Sequence, residues 1–123
     1  MKRVVLLGDS IRLIGYGTKV PELLGGEYDV WQPTDNCRFS SFTLRLLFDL
    51  KDKMSDADVI HWNNGAWDSV NLWGDGAFTD IDLYVGTMKK IAEILLTYGK
   101  RVIFATTTPV KRAAVFNNRN LEA

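Results

Sequence analysis

The sequence has one cysteine, one histidine and no net charge among its 123 residues. A single cysteine, Cys37, excludes an internal disulfide, which is typical of a protein from a reducing compartment. One cysteine and one histidine do not supply the ligands of a zinc site. We therefore expect no bound metal.

Long apolar runs and charge clusters are also absent. Two cations precede apolar residues at the start, MKRVVLLGDS, but only residues 4–7 are continuously apolar, which is too short for a signal peptide. No run approaches the ~18 apolar residues that cross a bilayer. Fifteen basic residues balance fifteen acidic ones without a polybasic stretch, so we expect no nucleic-acid partner, no membrane partner and a cytoplasmic setting.

Four short apolar runs predict buried β-strands at residues 3–7, 28–32, 58–62 and 101–106. Apart from their ends, these runs are mostly apolar rather than alternating. That pattern is typical of parallel strands that are covered on both faces.

Helices are predicted between these strands. An apolar stripe predicts a helix over residues 44–54, with Ser40 or Ser41 as its cap. A cleaner stripe over residues 81–95 predicts a second helix, with Thr79 or Asp80 as the cap and a glycine at position 99 as the stop. A weaker helix, interrupted by glycine and proline, is expected over residues 11–24.

Strand and helix alternate along a chain whose length suits one domain with one core. The alternation predicts a single α/β domain over residues 1–123, a flavodoxin-like three-layer sandwich with a parallel sheet. No fifth strand is recognisable, so we expect the sheet to be truncated after the fourth. Such sheets bind ligands where the strand order reverses, which the flavodoxin-like order places between the first and third strands.

Polar residues follow each of the first three predicted strands. In Gly8-Asp9-Ser10, the glycine permits a sharp turn and the serine lies near a helix N-terminus, where the helix dipole favours negative charge. The second cluster is DNCRFSSFT, residues 35–43, and the third is HWNNGAWD, residues 61–68. Carboxamides are costly to bury without partners, and they are useful donors to an oxyanion.

Each cluster also has a structural interpretation when it is taken alone. Asp9 or Ser10 can simply cap a helix, and Asn64 with the glycine after it can form a turn. The three clusters together favour a functional site at one edge of the sheet.

With these motifs the sequence resembles the SGNH, or GDSL-type, hydrolases, which are esterases and acylhydrolases of flavodoxin-like fold. The resemblance covers residues 3 to about 109. It implies that Ser10 within LLGDSI is the nucleophile. It also implies that a backbone N–H of the second block, N-x-G-x-S-G-x-T in the family, binds the oxyanion; here Arg38 stands at the glycine position and must adopt the needed backbone angles.

The third family block, G-x-N-D, is replaced here by HWNNGAWD, which is similar to a branch of the family with an Asn-Asn-Gly run. The resemblance implies Asn64 as the side-chain oxyanion donor, with Asn63 as the alternative.

Four residues are predicted to border the substrate: Asp9, Trp67, Asp68 and Thr107. Of these, Asp9 is also expected to support the first loop. The aromatic residues near the third strand either pack together or form a platform for an acyl chain or a sugar ring. These residues are Trp62, Trp67, Trp73 and Phe78. The loop TTTPV, residues 106–110, is expected to border the pocket.

A serine hydroxyl needs a neighbouring base, which the family supplies from a late Asp-x-x-His block. That block is absent here. His61 lies in the third strand, roughly 7 Å below its mouth, and is expected to be packed between helix and sheet. Three explanations stay open: a missing carboxyl-terminal segment, an oligomer partner that covers the exposed sheet edge, or a catalytically inactive module.

Two classes of function follow from these observations. The first is a serine-dependent ester hydrolase that acts on a small-molecule ester without a cofactor, the substrate being an acylated carbohydrate, a short acyl ester or a thioester. The second is a noncatalytic ligand-binding or interaction module of the same fold.

Overall fold

Four parallel strands form one sheet in the computed structural model, which describes residues 1–107. The strands are β1 (Lys2–Leu7), β2 (Tyr28–Trp31), β3 (Ala57–Trp62) and β4 (Gly99–Phe104). Their order is β2-β1-β3-β4, and every neighbouring pair is parallel. The predicted α/β flavodoxin-like fold is confirmed, with the reversal of strand order between β1 and β3.

Within residues 1–107, five α-helices connect or cover the strands. They are α1 (Val20–Leu24), α2 (Ser40–Asp49), α3 (Lys51–Met54), α4 (Ala66–Ser69) and α5 (Ile81–Tyr98). None of the described helices combines the length and the apolar character that crossing a membrane requires.

The prediction of one weak helix over residues 11–24 is wrong, because the segment is not one continuous helix. The chain forms a π-helical turn at Ile11–Gly15, then a 3-10 turn at Tyr16–Thr18, and only then α1. Gly15 leaves helical geometry with ψ −115°, and Pro21 lies in the first turn of α1. These two residue types break the helix where the sequence contains them.

The main core lies on one face of the sheet. Because strand residues alternate between faces, Val5 and Leu7 of β1 point to the same side as Ile60 and Trp62 of β3. They pack against α2 and α5 through side chains that are almost fully buried: Leu47, Ile91 and Leu95.

The opposite face of the sheet lies towards the segment before α1 and towards α1 itself, and the Tyr16 and His61 rings are in contact there. There Val4 and Leu6 of β1 lie near Tyr16 and Val20. Helical segments therefore lie on both faces, as a three-layer sandwich requires.

Both ends predicted for α5 are confirmed. The Asp80 carboxylate accepts a hydrogen bond from the Asp82 N–H at 3.2 Å. The helix ends at Tyr98, and the N–H of Gly99, its C-cap, donates to the Leu95 carbonyl; Gly99 has extended backbone angles and is also the first residue of β4. A Cβ at this position would lie 2.9 Å from Ile60 Cγ1, so glycine here permits close packing between β4 and β3.

Neither predicted serine caps α2. The helix begins at Ser40, and the Asp68 carboxylate accepts hydrogen bonds from the Ser40 N–H and the Ser40 hydroxyl, each at 2.8 Å. The cap therefore comes from a residue 28 positions away. A local sequence pattern cannot reveal such a partner.

The outer edge of β4 has no strand partner among residues 1–107. Residues 108–110 of the predicted pocket loop, and the question of a fifth strand, lie outside the described residues.

Candidate functional site

The first and third polar clusters leave the sheet side by side. Leu7 pairs with Trp62 at the ends of β1 and β3, and the Asn63 N–H donates to the Leu7 carbonyl at 3.1 Å. Gly8 and Asn63 are thus neighbours at the carboxyl edge of the sheet. This is the point where the strand order reverses and where ligands bind in such sheets.

Ser10 is exposed at the start of the π-helical turn. Its backbone is helical, with φ −62° and ψ −25°, so its N–H lies in a first turn, where N–H groups have no intrahelical acceptor. Its hydroxyl makes no hydrogen bond with any of residues 1–107. π-Helical turns are rare and occur frequently at functional sites.

Asp9 is fully buried and caps the turn that Ser10 begins. Its Oδ1 accepts a hydrogen bond from the Ile11 N–H at 3.0 Å, so Asp9 supports the loop as expected. Burial raises the pKa of its carboxyl, while the Ile11 N–H and the charge of Arg12 oppose that rise. The prediction that Asp9 borders the substrate is contradicted, because no part of it reaches the surface.

Arg38 has φ 54° and is the one non-glycine residue with positive φ among residues 1–107. It stands where the family block has glycine, the residue that adopts this conformation most readily. Its N–H donates to Asn36 Oδ1 at 2.7 Å, so this predicted oxyanion donor already has an acceptor. Its guanidinium lies over the Phe42 ring and near the Asp35 carboxylate.

Asn64 is not placed as an oxyanion donor, which corrects the first choice made from the sequence. It is fully buried, and its Nδ2 donates to Thr43 Oγ1 at 2.9 Å and to the Arg38 carbonyl at 3.2 Å. Its Oδ1 accepts from Trp62 Nε1 at 2.6 Å. Both hydrogens of the Asn64 amide are therefore used in hydrogen bonds that join the loop after β3 to the residues that follow β2.

Asn63 lies closer than Asn64 to the loop that carries Ser10, and its side chain makes fewer hydrogen bonds with residues 1–107. It is 4% exposed, and a Cβ added to Gly8 would lie 3.0 Å from its Oδ1. That oxygen has no partner among residues 1–107. The alternative that the sequence left open is thus the better placed carboxamide.

No protein-family model matches this sequence, and no curated protein matches it. The roles considered for Ser10, Arg38 and Asn63 therefore depend on the motifs and on their geometry.

Arg12 is the central residue that the sequence analysis missed. It is fully buried, and all five of its N–H groups donate to oxygens. Nε and Nη2 donate to the Gly8 carbonyl, Nη1 to Gln32 Oε1 and the Pro33 carbonyl, and Nη2 also to the Asp35 carbonyl, at 2.7–3.3 Å. The guanidinium thereby fixes the loop after β1 against the loop after β2.

A close approach of backbone segments around Arg12 depends on Gly17. A Cβ at that position would overlap the Arg12 carbonyl and lie 2.6 Å from Gln32 Oε1. Two features of the sequence could have indicated this buried arginine: the glycine at position 17, and the occurrence of a single arginine in an otherwise apolar stretch.

A cavity of about 340 Å³ lies beyond the ends of β3 and β4. Asp68 and Thr107 line it, whereas Ser10, Arg38 and Asn63 do not, and both side chains have structural partners. Asp68 caps α2, and Thr107 Oγ1 donates to the Asn64 carbonyl at 2.9 Å, as does the Tyr84 hydroxyl. Gly65, at φ 152°, lies against Thr107 so closely that a Cβ would overlap its Oγ1.

The aromatic residues do not form one cluster. Trp67 meets Phe39 edge to face at 5.2 Å, and Phe78 stacks on Phe39 at 4.8 Å. Trp62 is buried against Phe104, whereas Trp73 is 81% exposed. Trp67 is half-buried and does not line the 340 Å³ cavity, so packing accounts for its position.

His61 packs between the sheet and the turn before α1, on the face opposite the main core. Its ring meets Tyr16 edge to face at 5.5 Å, and its Nδ1 is buried without a partner among residues 1–107. This agrees with the expected packing role. Among residues 1–107, no group of three histidine, cysteine or acidic side chains could hold a metal ion.

A pH dependence of stability follows from this packing. Burial lowers the pKa of His61 below its ordinary value of 6.5, so the unfolded chain binds a proton more readily than the folded chain. The stability that His61 contributes is complete above pH 6.5 and is lost as the pH falls through the lowered pKa. We expect the free energy of unfolding, measured by urea denaturation, to fall more in the native protein than in His61→Gln between about pH 7.5 and about pH 5.5.

The raised pKa of Asp9 acts in the opposite direction in both proteins, because its contribution to stability decreases as the pH rises above 3.8. The difference in pH dependence between the native protein and His61→Gln therefore reports the contribution of His61 alone. Equal pH slopes would contradict the prediction.

Proposed function

We propose that this chain is a serine-dependent ester hydrolase of the SGNH type, with Ser10 as the nucleophile. The observation that carries the proposal is the left-handed backbone of Arg38, φ 54°, at the position of a family glycine. Non-glycine residues adopt this conformation in only a few per cent of cases. The resemblance requires it here, in a loop that is bonded to the start of the Gly8-Asp9-Ser10 loop, since the Cys37 N–H donates to the Gly8 carbonyl at 3.0 Å.

In the proposed reaction, Ser10 Oγ attacks the carbonyl carbon of a neutral ester. The oxyanion of the tetrahedral intermediate accepts hydrogen bonds from the N–H groups of Ser10 and Arg38 and from the Asn63 carboxamide. The oxyanion replaces Asn36 Oδ1 as the acceptor for Arg38. Collapse of the intermediate breaks the ester C–O bond, the alcohol leaves with a proton, and water hydrolyses the resulting acyl-serine.

The proton acceptor for Ser10 comes from outside this chain in the proposal. The one histidine of the sequence is His61, which packs against Tyr16 below the sheet edge. A small-molecule base such as imidazole should then substitute for the absent group. A cytoplasmic setting is part of the proposal and is supported by the free thiol of Cys37, which is buried.

Labelling with a fluorophosphonate probe tests this function. We expect the 123-residue chain to be labelled at Ser10 in the presence of imidazole, and labelling at that site to be absent in Ser10→Ala. Ser41→Ala, which removes another exposed serine from the first turn of α2, is the matched control and should be labelled like the native chain. Mass spectrometry of the labelled peptide identifies the site.

Equal labelling of Ser10→Ala and the native chain would contradict the proposal, and so would the absence of labelling with imidazole. The second result would favour a noncatalytic binding module. That alternative is supported by the hydrogen bond between the Arg38 N–H and Asn36 Oδ1, which occupies a predicted oxyanion donor.

A further inference from the structure

Two adjoining cavities lie on the α1 face of the sheet, and neither belongs to the polar cavity at the end of β3. One has a volume of about 410 Å³ and the other about 320 Å³. Both are lined by Tyr16, Val20 and His61, so they lie side by side on this face of the sheet, and we treat them together as one groove. We call it the α1-face groove. Its dimensions match those of small-molecule sites in proteins.

One end of the groove is apolar. It is lined by Val4 and Leu6 of β1, by Val59 and Ile103 of the neighbouring strands, and by Leu24 of α1. Ile103 is 45% exposed because nothing among residues 1–107 covers it. Exposed apolar surface of this kind favours an apolar occupant.

The other end carries polar atoms that lack partners. Asn63 Oδ1, the Tyr16 hydroxyl and His61 Nδ1 are buried without hydrogen bonds to residues 1–107, and all three residues line the 410 Å³ cavity. Asn63 is itself only 4% exposed. Buried polar groups are nearly always hydrogen-bonded, so unpartnered ones at this end favour a ligand with a polar group. Of the three atoms, the Tyr16 hydroxyl is the one that can donate to a carbonyl oxygen.

The polar end adjoins the proposed nucleophile. Ile11, which follows Ser10 directly, lines the same cavity as Asn63. A Cβ added to Gly8 would lie 3.2 Å from the Tyr16 hydroxyl and 3.0 Å from Asn63 Oδ1. The groove therefore begins at the loop that presents Ser10 and runs away from it beneath α1.

The residues among 1–107 that line the groove carry no formal charge at neutral pH. None of these lining residues is a lysine, an arginine, an aspartate or a glutamate. Burial lowers the pKa of His61 and, together with the charge of Asp9, raises the pKa of Tyr16 to about 12, so both side chains are neutral. A carboxylate or an ammonium group would enter without a counter-charge, which is unfavourable.

We propose that the α1-face groove binds the acyl chain of a neutral ester, with the carbonyl at the Asn63 end and the methylenes along the apolar end. The assignment of this chain to an ester substrate rests on the proposed hydrolase function, whereas the binding of a neutral alkyl chain does not. The substrate class is accordingly an ester of a medium-length aliphatic acid.

The test uses a series of primary amides as neutral, unreactive probes: butanamide, hexanamide and octanamide. Binding to the full chain is measured by isothermal titration calorimetry. We expect the affinity to increase roughly fourfold per added methylene, the fold-change that corresponds to burial of one CH₂ group. Ser10→Ala should bind the series with the same chain-length dependence.

Val20→Phe narrows the groove from a residue that lines both cavities, and it should abolish the gain between hexanamide and octanamide. Leu23→Phe, on the same helix but 81% exposed and outside both cavities, is the matched control and should leave the series unchanged.

An affinity that does not depend on chain length would overturn the proposal, and so would equal effects of Val20→Phe and Leu23→Phe. The first result would mean that protein, either another segment of the chain or a second copy, covers the groove. Binding of the amides without fluorophosphonate labelling would support the groove proposal and contradict the hydrolase proposal. Labelling without amide binding would support the hydrolase proposal and overturn the groove proposal.

Discussion

Arg12→Leu is expected to lower the free energy of unfolding by about 3–5 kcal/mol. The native guanidinium uses all five N–H groups inside the protein. Leucine leaves the Pro33 and Asp35 carbonyls without this donor, and each buried unpaired group costs about 1–3 kcal/mol. A shorter side chain also leaves unfilled space beneath Cys37, which adds to the loss.

Urea denaturation measures this effect, and Arg45→Leu is its control. Arg45 is exposed and pairs with Asp49 one helical turn away, an interaction worth about 0.5 kcal/mol or less. Arg12→Lys should also be destabilised, because an ammonium group keeps the charge but cannot reproduce the planar fork of five donors. A loss below about 1 kcal/mol for Arg12→Leu would show that the two loops are held together without the guanidinium.

The fold could be predicted because its signals are local. Each strand is a short apolar run, and α5 has both an apolar stripe and a capping aspartate, Asp80, directly before it. The segment between β1 and β2 was harder to predict. Its glycines and proline indicate interruptions, but they do not indicate that a π-helical turn would form directly after Ser10.

The site could be predicted in position but not in its hydrogen bonds. The ends of β1 and β3 had to meet because the strands are parallel neighbours. Which asparagine is free, however, depends on Trp62, Thr43 and the Arg38 carbonyl, whose positions are set by the tertiary structure. The role of Asp68 as the cap of α2 could not be predicted for the same reason, because its partner Ser40 is 28 residues away in the sequence.

Asn63→Ala is expected to slow fluorophosphonate labelling of Ser10 in imidazole by about 10²–10³-fold, the usual effect of losing one oxyanion donor. Its free energy of unfolding should change little, because Asn63 Oδ1 has no partner among residues 1–107 that the substitution would remove. Rate constants for labelling and urea denaturation curves measure the two effects separately.

Asn64→Ala is the matched control, since it removes the same carboxamide one residue later in the chain. It breaks two buried hydrogen bonds and one half-buried hydrogen bond, and it leaves Trp62 Nε1 and the Arg38 carbonyl without their partner. We expect a loss of about 2–4 kcal/mol in the free energy of unfolding, with the Ser10 labelling rate of the folded fraction reduced by less than in Asn63→Ala. If Asn63→Ala is labelled at the native rate while folded Asn64→Ala is not, the carboxamide of Asn64 must leave Thr43 during the reaction. The oxyanion site would then form only when the substrate binds.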